Sequence, residues 1–212
     1  MRTFRWMLAC AALVPAAASA QAARDFRNSW FWGAKAGIAS FSTMTTQNKM
    51  APLVGGEWLI TRSRFGLNLA YDHSFYDATA GIEDFAGNQF EIDITNLRRI
   101  TAAGLIFPRT FGLIRPYLGL GAAINFVSKA TPRDQFADPS DQQILEDEIE
   151  DRKDRASFLL IGGVQTQYKR VAPFGQVTVQ PSQRRFLLGT RPMFIFEGGV
   201  RINLGSAIER PE

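Results

Sequence analysis

Residue types able to do chemistry are few in this chain and poorly placed to act together. His73 is the only histidine. In "YDHSFY" it neighbours Ser74, but adjacent residues of a strand point to opposite faces. The two therefore do not form a base–nucleophile pair, and a lone imidazole lacks the partners of a metal site. Cys10 is the only cysteine and lies in a leader expected to be removed, which leaves no thiol and no disulfide. "GLG" at 119–121 has no third glycine in register and no following helix, so it is not a dinucleotide fingerprint. The acidic run from Asp134 to Asp154 has the carboxylate density of a calcium site but no D-x-D-x-D-G loop. The sequence thus predicts no catalytic, cofactor-binding or metal-binding residues, and a protein that is not an enzyme.

One set of side chains stands out for a different reason. Lys35, Glu57, Asp72, Glu197 and Arg201 interrupt rows that otherwise hold Gly, Ala, Asn and Gln. Such rows are the less apolar faces of alternating segments. Charges of both signs on these faces are expected to pair across an enclosed space. Unpaired and buried they would cost several kcal/mol; paired and hydrogen-bonded they are tolerable.

The segments that must position them are strands. Period-two alternation recurs about eight times, near Trp30–Ser42, Pro52–Arg62, Phe65–Tyr76, Phe90–Phe107, Arg115–Ser128, Ser157–Lys169, Pro173–Gln180 and Met193–Leu204. "RPYLGLGAAINFVS" shows it plainly, with Leu118, Leu120, Ala122, Ile124 and Phe126 on one face. Tyr117, Gly119, Gly121, Ala123 and Asn125 occupy the other. The fourth segment is broken at "LRRI" (97–100), where a bulge would explain the disruption without saying which arginine faces which way. Links after the second, fourth and sixth segments are tight: "TRSRF", "PRTFGL" and "KRVA". Those after the first, third, fifth and seventh are longer and polar, including "DATAGIEDFAGNQ" and an acidic stretch at about 129–155. Within that stretch, "PSDQQILEDEIEDRKDRA" is compatible with a short helix capped by Ser140. Strands joined up and down in this way place the tight turns at one end and the loops at the other.

The N-terminus reads as an export signal over 1–20. Arg2 and Arg5 are followed by the apolar stretch Met7–Val14 and an A-x-A site at Ala18-Ser19-Ala20. The apolar stretch is shorter than the roughly 20 residues needed to cross a bilayer as a helix. Cleavage removes Arg2 and Arg5, leaving 22 basic residues against 20 acidic ones. A near-neutral chain without a basic block carrying interleaved aromatics has no footprint for nucleic acid.

Eight alternating strands fit two barrels. A soluble lipid-binding barrel is apolar inside; a membrane barrel is apolar outside and small or polar inside. Two patterns favour the second. Bulky aromatics (Trp30, Trp32, Trp58, Tyr71, Phe75, Phe126, Phe194, Phe196) stand on the apolar rows, as interfacial girdles do. The opposite rows are poor in the Lys and Glu that a water-facing surface carries. The expected fold is all-β, an eight-stranded antiparallel up-and-down transmembrane β-barrel.

Three stretches, "WGAKAGIASF", "RPYLGLGAAINF" and "FIFEGGVRINLG", resemble in order and position the small eight-stranded outer-membrane β-barrels of Gram-negative bacteria. These include the opacity, outer-membrane protein W and OmpX-like groups. The resemblance covers Trp30 to Leu204. It implies a leader at 21–29, a barrel at 30–204 with the acidic outer loop, and a tail at 205–212, both termini lying in the periplasm. It implies as partners the lipid bilayer, lipopolysaccharide and the outer-membrane assembly machinery, with the protein a monomer in the cell outer membrane. The role implied is structural or surface-interacting, with a plugged lumen and no cofactor. A narrow channel, or a conduit for small apolar molecules with an apolar upper lumen around Leu53 and Leu159, is an alternative, as is the soluble lipid-binding barrel. One departure is the C-terminus: such barrels usually end on an aromatic residue, whereas here Leu204 takes the last outward position and "GSAIERPE" follows.

Overall fold

In a computed structural model, the structure describes residues 26–43, 49–83, 89–132, 154–182, 188 and 191–206. Alternating sequence becomes eight antiparallel strands. They are β1 (Ser29–Phe41), β2 (Lys49–Arg62), β3 (Phe65–Glu83), β4 (Gln89–Ile106), β5 (Ile114–Pro132), β6 (Asp154–Thr166), β7 (Val171–Gln180) and β8 (Met193–Ser206). Each strand pairs with its sequence neighbours, and β8 pairs with β1, closing the sheet into a barrel. Closure leaves no edge strand and satisfies the backbone internally, which a β-structure in lipid requires.

The two faces differ as the alternation requires. On β8, Phe194, Phe196, Val200, Ile202 and Leu204 are exposed on the outer wall, while Ile195, Glu197, Arg201 and Asn203 are buried inside. On β5, Leu118, Leu120 and Ile124 face out, and Tyr117, Ala123 and Asn125 face in. Trp32, Trp58, Phe65, Tyr71, Phe75 and Phe158 add exposed rings to the outer wall. An apolar outer wall is the reverse of a soluble lipid-binding barrel, so that alternative is corrected: the fold is an eight-stranded transmembrane β-barrel.

Several strands run further than the alternating pattern suggests. β3 continues to Glu83 and β4 starts at Gln89, so most of "DATAGIEDFAGNQ", read as a loop, is a hairpin rising past the apolar wall. β5 likewise runs to Pro132 and β6 starts at Asp154, trimming both flanks of the acidic loop. In each case polar residues hide strand from an apolar pattern. The short helix read within 139–156, capped by Ser140, lies largely outside the described residues, and the last positions of that stretch, from Asp154, are strand.

At the opposite end the connections are tight. Ser63, Gly112 and Lys169 have positive φ (55°, 60° and 55°) and each is the first of two turn residues, as in type II′ hairpins. Glycine takes this conformation freely at Gly112; Ser63 and Lys169 adopt it at some cost.

Inside the barrel, two apolar clusters occupy the ends. One, toward the long connections, includes Phe41, Leu53, Tyr76, Ile92, Ile94, Leu97 and Leu188. The other, toward the tight turns, includes Phe26, Phe31, Leu59, Phe107, Tyr117, Leu159 and Ile161. Leu53 and Leu159, paired by the sequence reading in one upper lumen, belong to opposite ends. Phe26 precedes β1, yet it packs into the lower end. Its ring meets Phe107 edge-on at 4.7 Å and lies 5.6 Å from Phe31, and the Arg115 guanidinium sits 4.4 Å from its centre.

Candidate functional site: a charge network across the lumen

Between the two apolar clusters lies a belt of charge. Lys35 on β1 places Nζ 2.7 Å from Glu197 Oε1 on β8 and 2.8 Å from Asp72 Oδ1 on β3. Arg99 on β4 reaches the same two carboxylates, with Nη2 2.6 Å from Asp72 Oδ2 and 3.3 Å from Glu197 Oε1. Four residues from four strands thus form a ring in which each charge touches two of opposite sign. Below it, Arg201 on β8 donates from Nε to Glu57 on β2.

Neutral groups connect the two parts. Gln176 Nε2 donates to Glu197 Oε2 at 2.7 Å, and its Oε1 accepts from the Tyr117 hydroxyl at 2.9 Å. The Tyr117 ring lies 5.3 Å from the Arg201 guanidinium, whose other neighbours include the Phe174 ring at 3.9 Å and Gln165 Oε1. Asn68 Nδ2 donates to the second oxygen of Glu57 at 3.3 Å. Three cations face three carboxylates, every one of the six residues is at most 6% exposed, and Arg201 is wholly buried. Desolvation at this depth is costly, and only near-complete pairing with supplementary hydrogen bonds offsets it.

Local backbone makes the arrangement possible. Gly33 pairs in register with both Glu57 and Arg201. A Cβ there would stand 3.0 Å from Glu57 Cγ and 3.2 Å from Arg201 Cγ. At Gly55, a Cβ would collide with the Asp72 carboxylate. Small residues of the inner row therefore supply the volume that long charged side chains fill in a barrel this narrow.

The five charges singled out by sequence are brought together, but Lys35 and Glu57 do not touch, and the network needs a sixth member. Arg99 was hidden by the break at "LRRI". The register between β3 and β4 skips between Ser74 and Asp77, and Asn96 has a positive φ of 57°. This bulge restores the inward phase at Leu97 and Arg99 and leaves Arg98 exposed on the outside. His73 and Ser74 do face opposite ways: Ser74 is buried, and His73 stacks edge-on with Phe75 at 4.8 Å. Among the described residues, no group of three or more His, Cys, Asp or Glu is disposed to hold a metal ion.

Comparison with solved structures places this architecture. Neisserial surface protein A matches with a TM-score of 0.53 at 13% identity, over 82% of this chain and 97% of that one. Ail, the attachment invasion locus protein of Yersinia pestis, solved with the heparin analogue sucrose octasulfate, matches with a TM-score of 0.50 at 11% identity. That match covers 84% of this chain and 99% of Ail. No protein-family model and no curated protein matches the sequence. The chain has the fold of the small eight-stranded outer-membrane β-barrels.

Proposed function

We propose that this protein is an integral outer-membrane barrel with a structural or surface-interaction role and a lumen closed to solutes by its own side chains. Residues 1–20 direct export and are removed. The barrel stands with its termini and tight turns in the periplasm and its long connections, the acidic one among them, outside. Lipid bilayer, lipopolysaccharide and the assembly machinery are its surroundings, and it acts as a monomer. The observation that supports closure is the ring of Lys35, Asp72, Arg99 and Glu197, which crosses the lumen between two apolar clusters.

Planar-bilayer recording tests the plug. The wild-type barrel is expected to give no stable conductance, whereas a variant carrying Arg201→Ala and Glu197→Ala opens discrete steps. Wild-type currents of the same size as those of the variant would overturn the plug. A second reading, a conduit for small apolar molecules, draws on the apolar outer end around Leu53, Ile92 and Ile94. Saturable binding of a fluorescent apolar probe, abolished by Leu53→Asp, would favour it over a purely structural role.

A further inference from the structure

Among the described residues, the turns at the tight-turn end carry charge of one sign. Arg62 and Arg64 flank Ser63 in the first turn, Arg109 lies in the second, and Lys169 and Arg170 form the third; Arg27 precedes β1 beside them. Arg27, Arg62, Arg64, Arg109 and Lys169 are exposed. No carboxylate among the described residues pairs with these five. Nor does any described turn at this end contain Asp or Glu. In sequence, the flanking termini add Arg24 and Arg210 against Asp25, Glu209 and Glu212, so the cationic excess persists.

Apolar anchors are interleaved with these cations. Phe111 is 59% exposed, Leu113 69% and Tyr168 69%, and Lys169 Nζ lies 5.5 Å over the Tyr168 ring. Trp30, Trp32 and Trp58 stand on the outer wall just above. Aromatic rings at the water–lipid boundary fix the depth of the barrel, and that depth sets the turn cations at headgroup level. Exposed cations without carboxylate partners there (Arg27, Arg62, Arg64, Arg109 and Lys169) attract anionic lipid at about 1 kcal/mol per residue, within a Debye length.

We infer that the tight-turn collar is a docking surface for the headgroups of anionic phospholipids in the leaflet it enters. The inference rests on the membrane-barrel reading with the tight turns in the periplasm, which makes that leaflet the inner one. Arg62, Arg64, Arg109 and Lys169 hold the phosphates of phosphatidylglycerol-type lipids, while Phe111, Leu113 and Tyr168 contact the adjoining acyl chains. The collar thereby biases which way round the barrel sits and which lipids surround its lower rim.

The tryptophans left after signal removal, Trp30, Trp32 and Trp58, all lie at the collar end, so lipid there can be read by their quenching. The chain without its signal is refolded into phosphatidylcholine vesicles doped with brominated phosphatidylglycerol or brominated phosphatidylcholine. Wild type is expected to favour the anionic quencher about five-fold, and high salt is expected to reduce that ratio. Arg62→Gln/Arg64→Gln/Arg109→Gln/Lys169→Gln should bring the ratio to parity, while Arg98→Gln at the other end should leave it unchanged. Equal quenching by both lipids in wild type, or a preference surviving in the quadruple variant, overturns the collar. A heat-dependent gel shift in pure phosphatidylcholine reports on the barrel itself. Its absence in every vesicle would defeat the membrane reading, whereas its presence with equal quenching would defeat only the collar.

Discussion

Arg201 and Glu57 sit on strands that do not pair with each other, and they meet across Gly33 of the strand between them. The contact exists because position 33 has no side chain. Gly33→Leu is expected to push the two apart and strand both charges inside the barrel, lowering stability by about 3 kcal/mol or more. Urea unfolding in vesicles, followed by tryptophan emission, measures it.

The same pair separates the cost of breaking an ion pair from the worth of having one. Glu57→Leu alone leaves the Arg201 guanidinium buried without its carboxylate and should cost about 3–5 kcal/mol. Glu57→Leu combined with Arg201→Met removes both charges and should recover most of that loss. A double-mutant cycle from unfolding midpoints gives the coupling. Additive losses would show that the two side chains act independently.

Arg98 and Arg99 are adjacent in sequence and opposite in consequence. Arg99→Ala leaves Asp72 and Glu197 each short of one cationic partner and should cost a few kcal/mol. Arg98→Ala removes an exposed side chain and should change stability by less than about 0.5 kcal/mol. Denaturation of the two single variants under one set of conditions tests the bulge as well as the network.

Two glycines on opposite faces of the sheet, on the two strands that flank β1, make a matched control. At Gly55 an added methyl collides with Asp72, while at Gly198 the nearest atom it would meet is Phe174 O at 3.8 Å. Gly55→Ala should slow or prevent folding as judged by the heat-dependent gel shift. Gly198→Ala should fold like wild type.

Phe26 tethers the chain ahead of β1 to the lower lumen, and its carbonyl accepts a hydrogen bond from Thr61 Oγ1 at 2.5 Å. Phe26→Ala removes a buried ring and its edge contacts, for an expected loss of about 3 kcal/mol. Protease cleavage at Arg27 should accelerate in that variant while the barrel stays resistant.

The rows that define inside and outside were legible because an apolar outer wall and a small inner row repeat with period two, as on β8 from Phe194 to Leu204. Lys35, Glu57, Asp72, Glu197 and Arg201 could be placed inside by phase alone. Arg99 could not, because at the irregularity Thr95 and Asn96 both fall between the inward Ile94 and Leu97, which shifts phase on β4 without altering composition. The upper part of β3 was missed for another reason: beyond the apolar wall its outward row turns polar, with Asp77 and Thr79 outward and Ala78 and Ala80 buried inside, so the alternation inverts. Phe26 lies outside every periodic run, and only the folded barrel reveals that its ring belongs to the core. The basic turns were visible as residues, but their common end emerged as a collar only once the strands had closed.

The charge belt also has a consequence for how such a barrel is put together. Its contacts join β1 to β3, β1 to β8, β2 to β8, β3 to β4 and β4 to β8. Slipping any of these strands by one residue turns its charged side chain from the lumen to the lipid. An arginine or lysine exposed near the bilayer midplane costs about 2–4 kcal/mol, and each misplaced charge also orphans its partners. The network therefore works as a proofreading lock: a wrongly aligned sheet can still form hydrogen bonds, but it cannot close without leaving a charge stranded.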